Sequence, residues 1–545
     1  MNFVEAEKVF PWVKEGKGNI VYEAIDRHVE SGAGDTVALY YSDGEREESL
    51  TFAEIQSKSS QFARGLLQLG IQQGDRVFLF MPRSPELYIA LIGIIRMGAI
   101  AGPLFEAFME SAVRDRLQDS GARAIVTTPS LLTRIPQSDL PELAHVIVAG
   151  AKEELAAPLH AFEQVMKQPD DPFIQEVSGE DGLYLHYTSG STGKPKGVLH
   201  AHAGLLHQYV SGAVVYDFRQ GDKYWCTADP GWITGTSAGI FAPWLHGVSI
   251  VVRGGRFRSE DWYATIEKYG VTVWFSAPTA FRMLMAAGDD VPKQFDFSKL
   301  RHVLSAGEPL NPEVIRWGEQ VLQRRIHDNW WMTETGSTIC ANRPDIPVRL
   351  GSMGKPLPGI HLAIVDSKGN ELPPNTMGDL AILPPWPAMM RAIWGNEEKY
   401  QSYFRNGWYI SGDSAYRDED GYFWFQGRID DVINTSGERI GPFEVESKLV
   451  EHPAVAEAGV IGIPDPMRGE IIKAFVTLRQ GYSPSEELAA QIKQFVKEKL
   501  AAHAAPREIE FRSGLPKTRS GKIMRRVLKA WELGLPTGDL STLEE

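Results

Sequence analysis

The chain has 545 residues, and its 56 lysines and arginines against 70 aspartates and glutamates give a formal net charge of −14. So acidic a chain is a poor candidate for binding nucleic acid or an anionic membrane surface. A hydrophobic content of 43% excludes wholesale disorder, and the two cysteines, Cys226 and Cys340, exclude a disulfide framework and a multi-cysteine zinc site. A single bridge between them stays open, but the count favours a reduced, cytoplasmic protein.

Helix and strand patterns alternate along the first 400 residues. Thr51 and Glu54 have the spacing of a capping box and predict a helix. Residues 76–81 predict a buried strand, and Ser84-Pro85 predicts the start of another helix. Further strand patterns occur at 99–104, 248–252, 271–275 and 302–304. This alternation predicts an α/β fold, with a large N-terminal domain of mostly parallel sheets layered with helices.

The sequence predicts neither a signal peptide nor a membrane span. The first 18 residues are charged throughout and contain no apolar core. The longest apolar stretch, residues 89–105, is broken by Arg96 and Pro103, whereas a membrane helix needs about 20 apolar residues. We therefore expect no membrane attachment.

The pattern changes after about residue 408. A strand pattern at 409–413 is followed by the hairpin signal Asp420-Gly421. Beyond it the sequence predicts a small α+β unit, with helices at 442–451 and 485–502 and strands at 455–463 and 470–478. We place the domain boundary near Asp430, which gives a large domain of residues 1–429 and a small one of residues 430–545.

The sharpest local signal is the segment 187–197, which reads YTSGSTGKPKG. Its glycines let the backbone approach a ligand and expose N–H groups, while hydroxyls and two lysines add donors and positive charge. Pro195 follows Lys194 where a Walker loop needs Ser or Thr, and the glycine spacing is not G-x-G-x-x-G. Composition leaves two interpretations open, a polyphosphate cradle or a flexible polar surface loop.

Six further motifs follow this loop along the chain. They are SAGEP at 305–309, WWMTETG at 330–336, YISGD at 409–413, GRIDDVI at 427–433, SGERIG at 436–441 and PKTRSGK at 516–522. Together with the loop they resemble, in order, the signatures of the adenylate-forming superfamily, which contains acyl-CoA synthetases, luciferases and peptide-synthetase adenylation domains. Within it, the strongest resemblance is to the short bacterial type of acetate-activating CoA synthetases.

The resemblance implies an enzyme that uses ATP, Mg²⁺ and coenzyme A, with a large N-terminal domain and a small mobile C-terminal one. Acetate would attack the α-phosphate of ATP to give acetyl-adenylate and pyrophosphate, and the CoA thiol would then displace AMP. A propionate-activating or broader short-chain synthetase is the alternative within the superfamily.

The resemblance assigns most motif residues to the nucleotide. Those implied are Thr188, Ser189, Gly190, Ser191, Thr192, Gly193, Lys194 and Lys196 for the phosphates, Thr333 for the α-phosphate, Gly307, Glu308, Pro309, Asn329 and Trp330 for the adenine, and Asp413 and Arg428 for the ribose. Glu334 would ligate Mg²⁺, a cation that prefers oxygen ligands, although a lone glutamate is more often solvated.

Lys522 is the residue that the resemblance implies for adenylation. A positive charge aimed at the reacting carboxylate and α-phosphate stabilises the charge that builds in the transition state. The alternative is that the basic residues around it form a solvated tail. The matching lysine is acetylated in related synthetases, so a lysine acetyltransferase and a deacetylase are expected partners, and acetylation would remove the charge.

The second half-reaction needs another arrangement of the two domains. The resemblance implies rotation of the small domain about Asp430, which withdraws Lys522 and brings Gly437 to the pantetheine tunnel. The implied CoA contacts are Ser276, Ser436, Gly437 and Lys497, with Arg439 contacting phosphate or stabilising one orientation. For Lys497 a solvated helix face is the simpler interpretation. The backbones of Val450, His452 and Val455 would form a second cation site.

Trp331 is expected to set the acyl length. Its indole would fill the space that a longer chain needs, with Ala306 and Ser276 as neighbours. Because one methylene changes binding by only about 1–3 kcal/mol, propionate should remain a slow substrate. The alternative is an ordinary buried tryptophan.

A serine hydrolase is the alternative from a different class. Residues 235–239 fit G-x-S-x-G, with Ser237 as the nucleophile, but the preceding segment is a weak strand. A non-catalytic binding protein is a third interpretation, which the presence of Lys522, Glu334 and Asp413 disfavours.

Overall fold

The computed structural model describes residues 1–136, 138–151, 155, 157–188, 195–435, 438–518, 522–537 and 540. Within them lie four sheets. Three belong to the large N-terminal part of the chain, and the fourth belongs to a smaller C-terminal domain. The predicted α/β class, with large parallel-rich sheets and a small C-terminal domain, is confirmed.

The first sheet has nine strands, and its central pairs are parallel, with antiparallel pairs at both edges. In spatial order the strands are Lys355–Pro356, Cys340–Ala341, Ile326–Trp330, His302–Ser305, Val273–Ser276, Lys223–Cys226, Ser249–Arg253, Val37–Ser42 and Glu47–Thr51. Its inner strands are almost wholly buried, as expected for a sheet covered on both faces.

The second sheet has eight strands and, like the first, consists mainly of parallel pairs. In spatial order they are Ala392–Ile393, Lys196–Ala201, Gly182–Thr188, Ile100–Pro103, Arg76–Phe80, Ala124–Thr127, His145–Val148 and Leu159–Ala161. The last six pair in parallel, whereas Lys196–Ala201 runs antiparallel to both of its neighbours.

The third sheet is wholly antiparallel, and only part of it was predicted. Its strands are Leu362–Val365, Gly378–Ile382, Trp408–Arg417 and Phe404–Arg405, with Phe423–Arg428 also paired to Trp408–Arg417. The predicted hairpin at Asp420-Gly421 is confirmed, since Gly421 has φ of +83° at the turn between two of these strands.

Helices cover the first two sheets and fill the space between them. The α-helices of the large part are Phe3–Val9, Trp12–Glu15, Phe52–Gln68, Pro85–Arg96, Glu110–Ser120, Pro129–Leu132, Phe162–Val165, Leu205–Val214, Ala242–Leu245, Ser259–Tyr269, Pro278–Ala286, Pro312–Trp317 and Glu397–Gln401. Short 3-10 or π turns occur at Tyr22–Asp26, Val29–Ala33, His202–Gly204, Thr234–Phe241, Pro292–Gln294, Gly318–Leu322, Thr333–Thr335 and Ile429–Asp431.

Local chemistry explains the first long helix. Thr51 Oγ1 accepts the Glu54 backbone N–H at 3.2 Å, and Glu54 Oε2 accepts the Thr51 N–H at 2.8 Å. Two N–H groups that the helix leaves unpaired are thereby satisfied, so the predicted capping box is confirmed. Phe52 and Phe62 point from this helix into the core that the two sheets share.

The arginine that interrupts the longest apolar stretch lies inside this core. Arg96 is fully buried, and its Nη1 and Nη2 each donate to the Asp26 carboxylate at 2.8 Å. Its Nε donates to Ser59 Oγ at 3.0 Å, so the guanidinium is held by partners that offset its desolvation. Among the described residues, no helix has both the length and the apolar content that crossing a bilayer requires.

The C-terminal domain is a mixed five-stranded sheet with three helices. Its strands are Glu438–Ile440, Ile433–Thr435, Gly469–Leu478, Val455–Asp465 and Glu508–Phe511, and its helices are Pro442–Val450, Glu486–Lys499 and Arg525–Leu533. Its core is separate from that of the large part and is built mainly from Val, Ile and Leu. The predicted helices and strands beyond residue 440 are confirmed.

Candidate active site

The candidate site lies at the carboxyl ends of parallel strands, where α/β sheets place their ligands. Three neighbouring strands of the first sheet end at Ser276, Ser305 and Trp330. The motif residues Ala306 to Pro309 and Trp331 to Glu334 follow directly on two of them. Asp413 comes from the third sheet, and Trp330 reaches it across the gap between the sheets.

Asp413 is the centre of the first cluster. Its carboxylate is 7% exposed, and it accepts from Trp330 Nε1 at 2.9 Å and from Arg428 Nη1 at 2.8 Å. Gly412 has φ of +80°, and a Cβ there would lie 2.4 Å from the Arg428 guanidinium. Only glycine therefore lets Arg428 approach. The structure brings together three of the predicted nucleotide residues.

We predict that Asp413→Asn weakens ATP binding by roughly 10- to 100-fold, because a hydrogen bond to a charged group contributes about 1.5–3 kcal/mol. Isothermal titration with ATP measures the loss. Asp418→Asn is the matched control, since Asp418 also accepts from an arginine, Arg349 at 2.6 Å, and from an indole, Trp424 Nε1 at 3.1 Å. Equal losses of ATP affinity in both variants would contradict the assignment of Asp413.

Glu334 is the centre of the second cluster. The residue is 4% exposed, and Lys196 Nζ lies 2.8 Å from its Oε1. The Tyr403 hydroxyl donates to the same oxygen at 3.0 Å and also contacts Lys196 Nζ. Tyr403 belongs to none of the motifs, and no local pattern singled it out. Thr333 lies one residue before Glu334, and its carbonyl oxygen is 2.8 Å from His200 Nε2.

The phosphate loop is framed by two paired strands. Thr188 ends one strand and faces Lys196 at the start of the next, so the segment between them joins a hairpin. Within the described part of the chain, the buried Thr188 hydroxyl has no hydrogen-bond partner. A buried unpaired hydroxyl is costly and is consistent with a ligand that supplies its partner. The predicted loop residues Ser189, Gly190, Ser191, Thr192, Gly193 and Lys194 lie outside the described residues.

The residues predicted for the adenine follow or lie in two neighbouring strands of the first sheet, His302–Ser305 and Ile326–Trp330. Gly307 has φ of +98°, with open space where a Cβ would stand. Pro309 follows two residues later, and Asn329 is fixed by donating from Nδ2 to Ser305 O at 2.8 Å. The Glu308 carboxylate is turned to the helix Pro278–Ala286, which the sequence did not indicate.

Trp331 is part of the large core and borders the site. It is 8% exposed and belongs to the same buried apolar cluster as Ala306. Ser276 ends a neighbouring strand, and its hydroxyl lies 2.6 Å from that of Thr227. Among the described residues the Trp331 Nε1 has no partner. The predicted acyl-pocket residues Trp331 and Ala306 are thus both buried, and the pocket itself stays a prediction.

Lys522 projects from the C-terminal domain toward the Asp413 cluster. Its backbone N–H donates to Thr518 Oγ1 at 3.0 Å. Solvent reaches the side chain, yet the protein around the cleft weakens the hydration of its charge and lowers its pKa. The carboxylates of Asp413 and Glu308 oppose this shift, whereas the Arg428 and Arg525 guanidinium groups add to it.

Among the described residues, the contacts between the C-terminal domain and the large part include a hydrogen bond and an aromatic pair. Asn311 Nδ2 donates to Ser447 Oγ at 3.0 Å, and the Phe425 and Phe443 rings meet edge to face at 5.7 Å between centroids. Asp430 lies nearby in the short turn Ile429–Asp431.

The C-terminal domain also contains a buried arginine that the sequence did not single out. Arg525 Nε donates to Glu446 Oε1 at 2.7 Å, and its Nη1 lies 3.5 Å from Asp431 Oδ2. The helix that follows Lys522 is thus joined both to the helix Pro442–Val450 and to the residue after Asp430.

The predicted second cation site, at the backbones of Val450, His452 and Val455, stays a prediction. Arg479 Nε donates to Val455 O at 2.9 Å, and the Val455 N–H donates to His452 O at 2.9 Å. A guanidinium therefore already occupies one of the carbonyl oxygens expected to ligate the cation, while Val450 ends its helix nearby.

The predicted CoA residues are scattered or not described. Lys497 is exposed on the helix Glu486–Lys499, which fits the simpler interpretation of a solvated face. Ser436 and Gly437 lie outside the described residues. Arg439 pairs through its backbone with Asn434 in the C-terminal sheet. Ser276 ends the strand next to the one that leads into residues 306–309.

The serine-hydrolase interpretation does not fit the geometry. Ser237 lies in the middle of the helical segment Thr234–Phe241, and not at a turn that joins a strand to a helix. It is buried, and its hydroxyl donates to Gly336 O at 2.8 Å. His186 lies nearby, but its Nε2 is 2.8 Å from Thr236 Oγ1 instead.

Comparisons with known proteins agree with this architecture. The family model described as AMP-binding enzyme matches residues 25–394, and that of the AMP-binding enzyme C-terminal domain matches residues 444–522. The chain is 62% identical to the acetyl-coenzyme A synthetase of Bacillus subtilis, over 100% of this chain and 97% of the relative. It is 40% identical to the synthetase of the same name from Methanothrix thermoacetophila, over 98% of this chain and 86% of the relative.

Solved structures give the same result. The crystal structure of an anthranilate CoA ligase in complex with anthranoyl-AMP has a TM-score of 0.87 at 32% identity, covering 94% of this chain and 97% of that one. A Brucella canis acyl-CoA synthetase has a TM-score of 0.76 at 36% identity, covering 98% of both chains. A large α/β part with a small C-terminal domain beside its strand ends is thus the architecture of CoA-ligating enzymes. The chain belongs to the AMP-binding enzyme family.

Proposed function

We propose that the protein is an AMP-forming acetate–CoA ligase. Acetate and ATP give acetyl-adenylate and pyrophosphate, and coenzyme A then gives acetyl-CoA and AMP. The observation that carries the proposal is the position of the buried Trp331 between two functional contacts: Trp330, which precedes it, donates to Asp413, and Glu334, three residues later, pairs with Lys196. A bulky indole at this position supports a short acid next to the nucleotide. The 62% identity to a protein named acetyl-coenzyme A synthetase supports acetate as that acid.

In this proposal the nucleotide lies between the Asp413 and Glu334 clusters. Asp413 accepts hydrogen bonds from the ribose hydroxyls, with Arg428 holding the carboxylate in place. The adenine lies in the cleft between Gly307 and Asn329, and the phosphates lie against Thr188, Lys196 and the loop that joins them. Thr333 orients the α-phosphate.

Mg²⁺ fits the residues present. Glu334 is a buried carboxylate beside the hairpin of the phosphate loop, and hard cations prefer such oxygen ligands together with substrate phosphates. The ion supplies charge neutralisation of the phosphates when bound. Lys196, now ion-paired to Glu334, is placed to contact the phosphates as well.

Lys522 provides the charge for adenylation. Its position opposite Asp413 supports an ammonium group that reaches the attacking carboxylate and the α-phosphate together. The barrier falls because the ammonium group is already oriented when negative charge builds there. Desolvation by the surrounding protein, together with the Arg428 and Arg525 guanidinium groups, lowers the pKa of Lys522.

The second half-reaction follows rotation of the C-terminal domain, residues 430–545, about Asp430. The Asn311–Ser447 bond and the Phe425–Phe443 contact have to break in this step. Gly437 then lines the pantetheine arm with Ser436 and Ser276, while Arg439 contacts phosphate or supports the new orientation. Lys497 is the weakest of the proposed CoA contacts because it is exposed and distant in sequence from the motifs.

Regulation and location are also proposed. Lys522 is exposed enough to meet an acetyltransferase, and a deacetylase would restore its charge. The two unpaired cysteines support a reducing, cytoplasmic location.

The test is ATP-dependent pyrophosphate release with acetate, propionate, butyrate and octanoate, each with and without CoA. We expect release to be highest with acetate, slower with propionate, and coupled to acetyl-CoA formation when CoA is present. A preference for propionate would favour the runner-up, a propionyl-CoA or broader short-chain synthetase. The absence of release with all four acids would refute the proposal.

Fluorophosphonate labelling distinguishes the hydrolase alternative. We expect no label on Ser237, because its hydroxyl is buried and donates to a backbone carbonyl with no base to activate it. Intact-protein mass spectrometry measures the adduct. A stoichiometric adduct mapped to Ser237 would contradict this expectation.

A further inference from the structure

Glu308 is held by two residues that no motif contains. Arg282 Nη2 donates to Glu308 Oε2 at 2.7 Å and to Thr279 Oγ1 at 2.6 Å. The Thr279 hydroxyl lies 2.9 and 2.8 Å from the two carboxylate oxygens. The Glu308 side chain is 7% exposed and that of Arg282 is 22% exposed. The carboxylate is therefore neutralised and fixed on the helix Pro278–Ala286.

Four charged groups, from four different segments, act electrostatically on the Lys522 ammonium group. Asp413 and Glu308 are the carboxylates, and Arg428 and Arg525 are the guanidinium groups. Asp413 has its own arginine, Arg428, and Glu308 has its own arginine, Arg282. In the part of the chain that the structure describes, Lys522 makes no ion pair. Each of the two carboxylates that could form an ion pair with Lys522 is thus already paired with an arginine.

This pairing matters because Lys522 has to act on the substrate. An unpaired Glu308 carboxylate would attract the ammonium group across a partly enclosed cleft, where charges interact more strongly than in water. It would also repel the triphosphate of ATP from the same cleft. An ammonium group held by Glu308 is no longer aimed at the α-phosphate, so adenylation would slow while the thioester step would not.

We propose that Arg282 is a positioning residue for adenylation, which neutralises and holds Glu308 so that Lys522 stays available to the reacting groups. The inference rests on the proposed function, because it assigns Arg282 a part in the first half-reaction. Thr279 assists by binding both oxygens of the same carboxylate.

The test is acetate-dependent ATP–pyrophosphate exchange as a function of pH in four variants: Arg282→Gln, Arg282→Lys, Glu308→Gln and the double variant Arg282→Gln/Glu308→Gln. We expect Arg282→Gln to lose about tenfold or more in exchange rate. The alkaline limb of its pH–rate profile should move to higher pH, because an unpaired carboxylate stabilises the charged lysine. In Glu308→Gln the same alkaline limb should move to lower pH. Arg282→Lys should keep most of the exchange rate.

The double variant decides between positioning and simple structural support. If Arg282 acts by neutralising Glu308, removing both charges restores most of the exchange that Arg282→Gln loses. Arg316→Gln is the matched control, since Arg316 is exposed and pairs only with Glu313 three residues away. Thermal melting of each variant excludes misfolding. Acetyl-CoA formation from supplied acetyl-adenylate should be unchanged in Arg282→Gln, Arg282→Lys and Arg316→Gln, and Glu308→Gln alone is the reference for the double variant.

Three results would overturn the inference. They are a double variant as slow as Arg282→Gln, an alkaline limb that does not move, and equal loss of both half-reactions. Failure of the proposed function is recognised separately, because the unaltered protein would then show no acetate-dependent exchange at all.

Discussion

Lys522→Ala should abolish acetyl-adenylate formation while leaving thioester formation from supplied acetyl-adenylate intact. The lysine faces the Asp413 cluster only in the present domain orientation, and the proposed second step withdraws it. Removing one preorganised charge that stabilises a transition state typically costs about 100- to 1,000-fold. Pyrophosphate exchange measures the first step, and acetyl-CoA formation from synthetic acetyl-adenylate measures the second.

Lys529→Ala is the matched control for this experiment. Lys529 lies seven residues further on, in the helix Arg525–Leu533, and its Nζ is 3.6 Å from Glu470 at the surface of the same domain. We expect both half-reactions to keep their rates in this variant. Equal loss of the two steps in Lys522→Ala would contradict the assignment of this lysine to adenylation alone.

Trp331→Gly should move the preference from acetate toward longer acids. Removing the indole leaves a space beside Ala306 that additional methylenes can fill. Since each methylene is worth about 1–3 kcal/mol, we expect kcat/KM for butyrate to rise at least about tenfold relative to acetate. Rates of pyrophosphate release over the series from acetate to octanoate measure the shift.

Two controls accompany the Trp331 variant. Truncating a buried tryptophan typically costs about 3–5 kcal/mol of stability, so thermal melting has to show that the variant is folded at the assay temperature. Trp331→Phe keeps a ring in the pocket and should retain the acetate preference. A folded Trp331→Gly that prefers acetate as strongly as the unaltered protein would show that the acyl pocket lies elsewhere.

The elements with strong local signals were predictable. The capping box of Thr51 and Glu54 and the Asp420-Gly421 turn depend on neighbours within four residues, so the sequence contains the whole interaction. The strands at the edges of the antiparallel third sheet were not predicted, because Phe404–Arg405 is two residues long and is defined by a partner strand.

The residues of the candidate site likewise divide into those that a motif indicates and those that no motif indicates. Motif order indicated Asp413, Trp330 and Arg428, and the structure brings their side chains together. Tyr403 and Arg282 were missed because each acts on a motif carboxylate from a segment without a signature, 69 and 26 residues away along the chain. Partners of this kind are determined by the packing of sheets and helices, and a single sequence carries no local trace of them.

The contacts of Arg525 bear on how the C-terminal domain can move between the two proposed half-reactions. Arg525 joins Asp431 and Glu446 to the helix that begins three residues after Lys522. We therefore expect the chain beyond the proposed pivot at Asp430 to move together with Lys522 as one rigid unit. The proposed withdrawal of the lysine and the proposed arrival of Gly437 would then be one simultaneous movement, and the two half-reactions would never be open together.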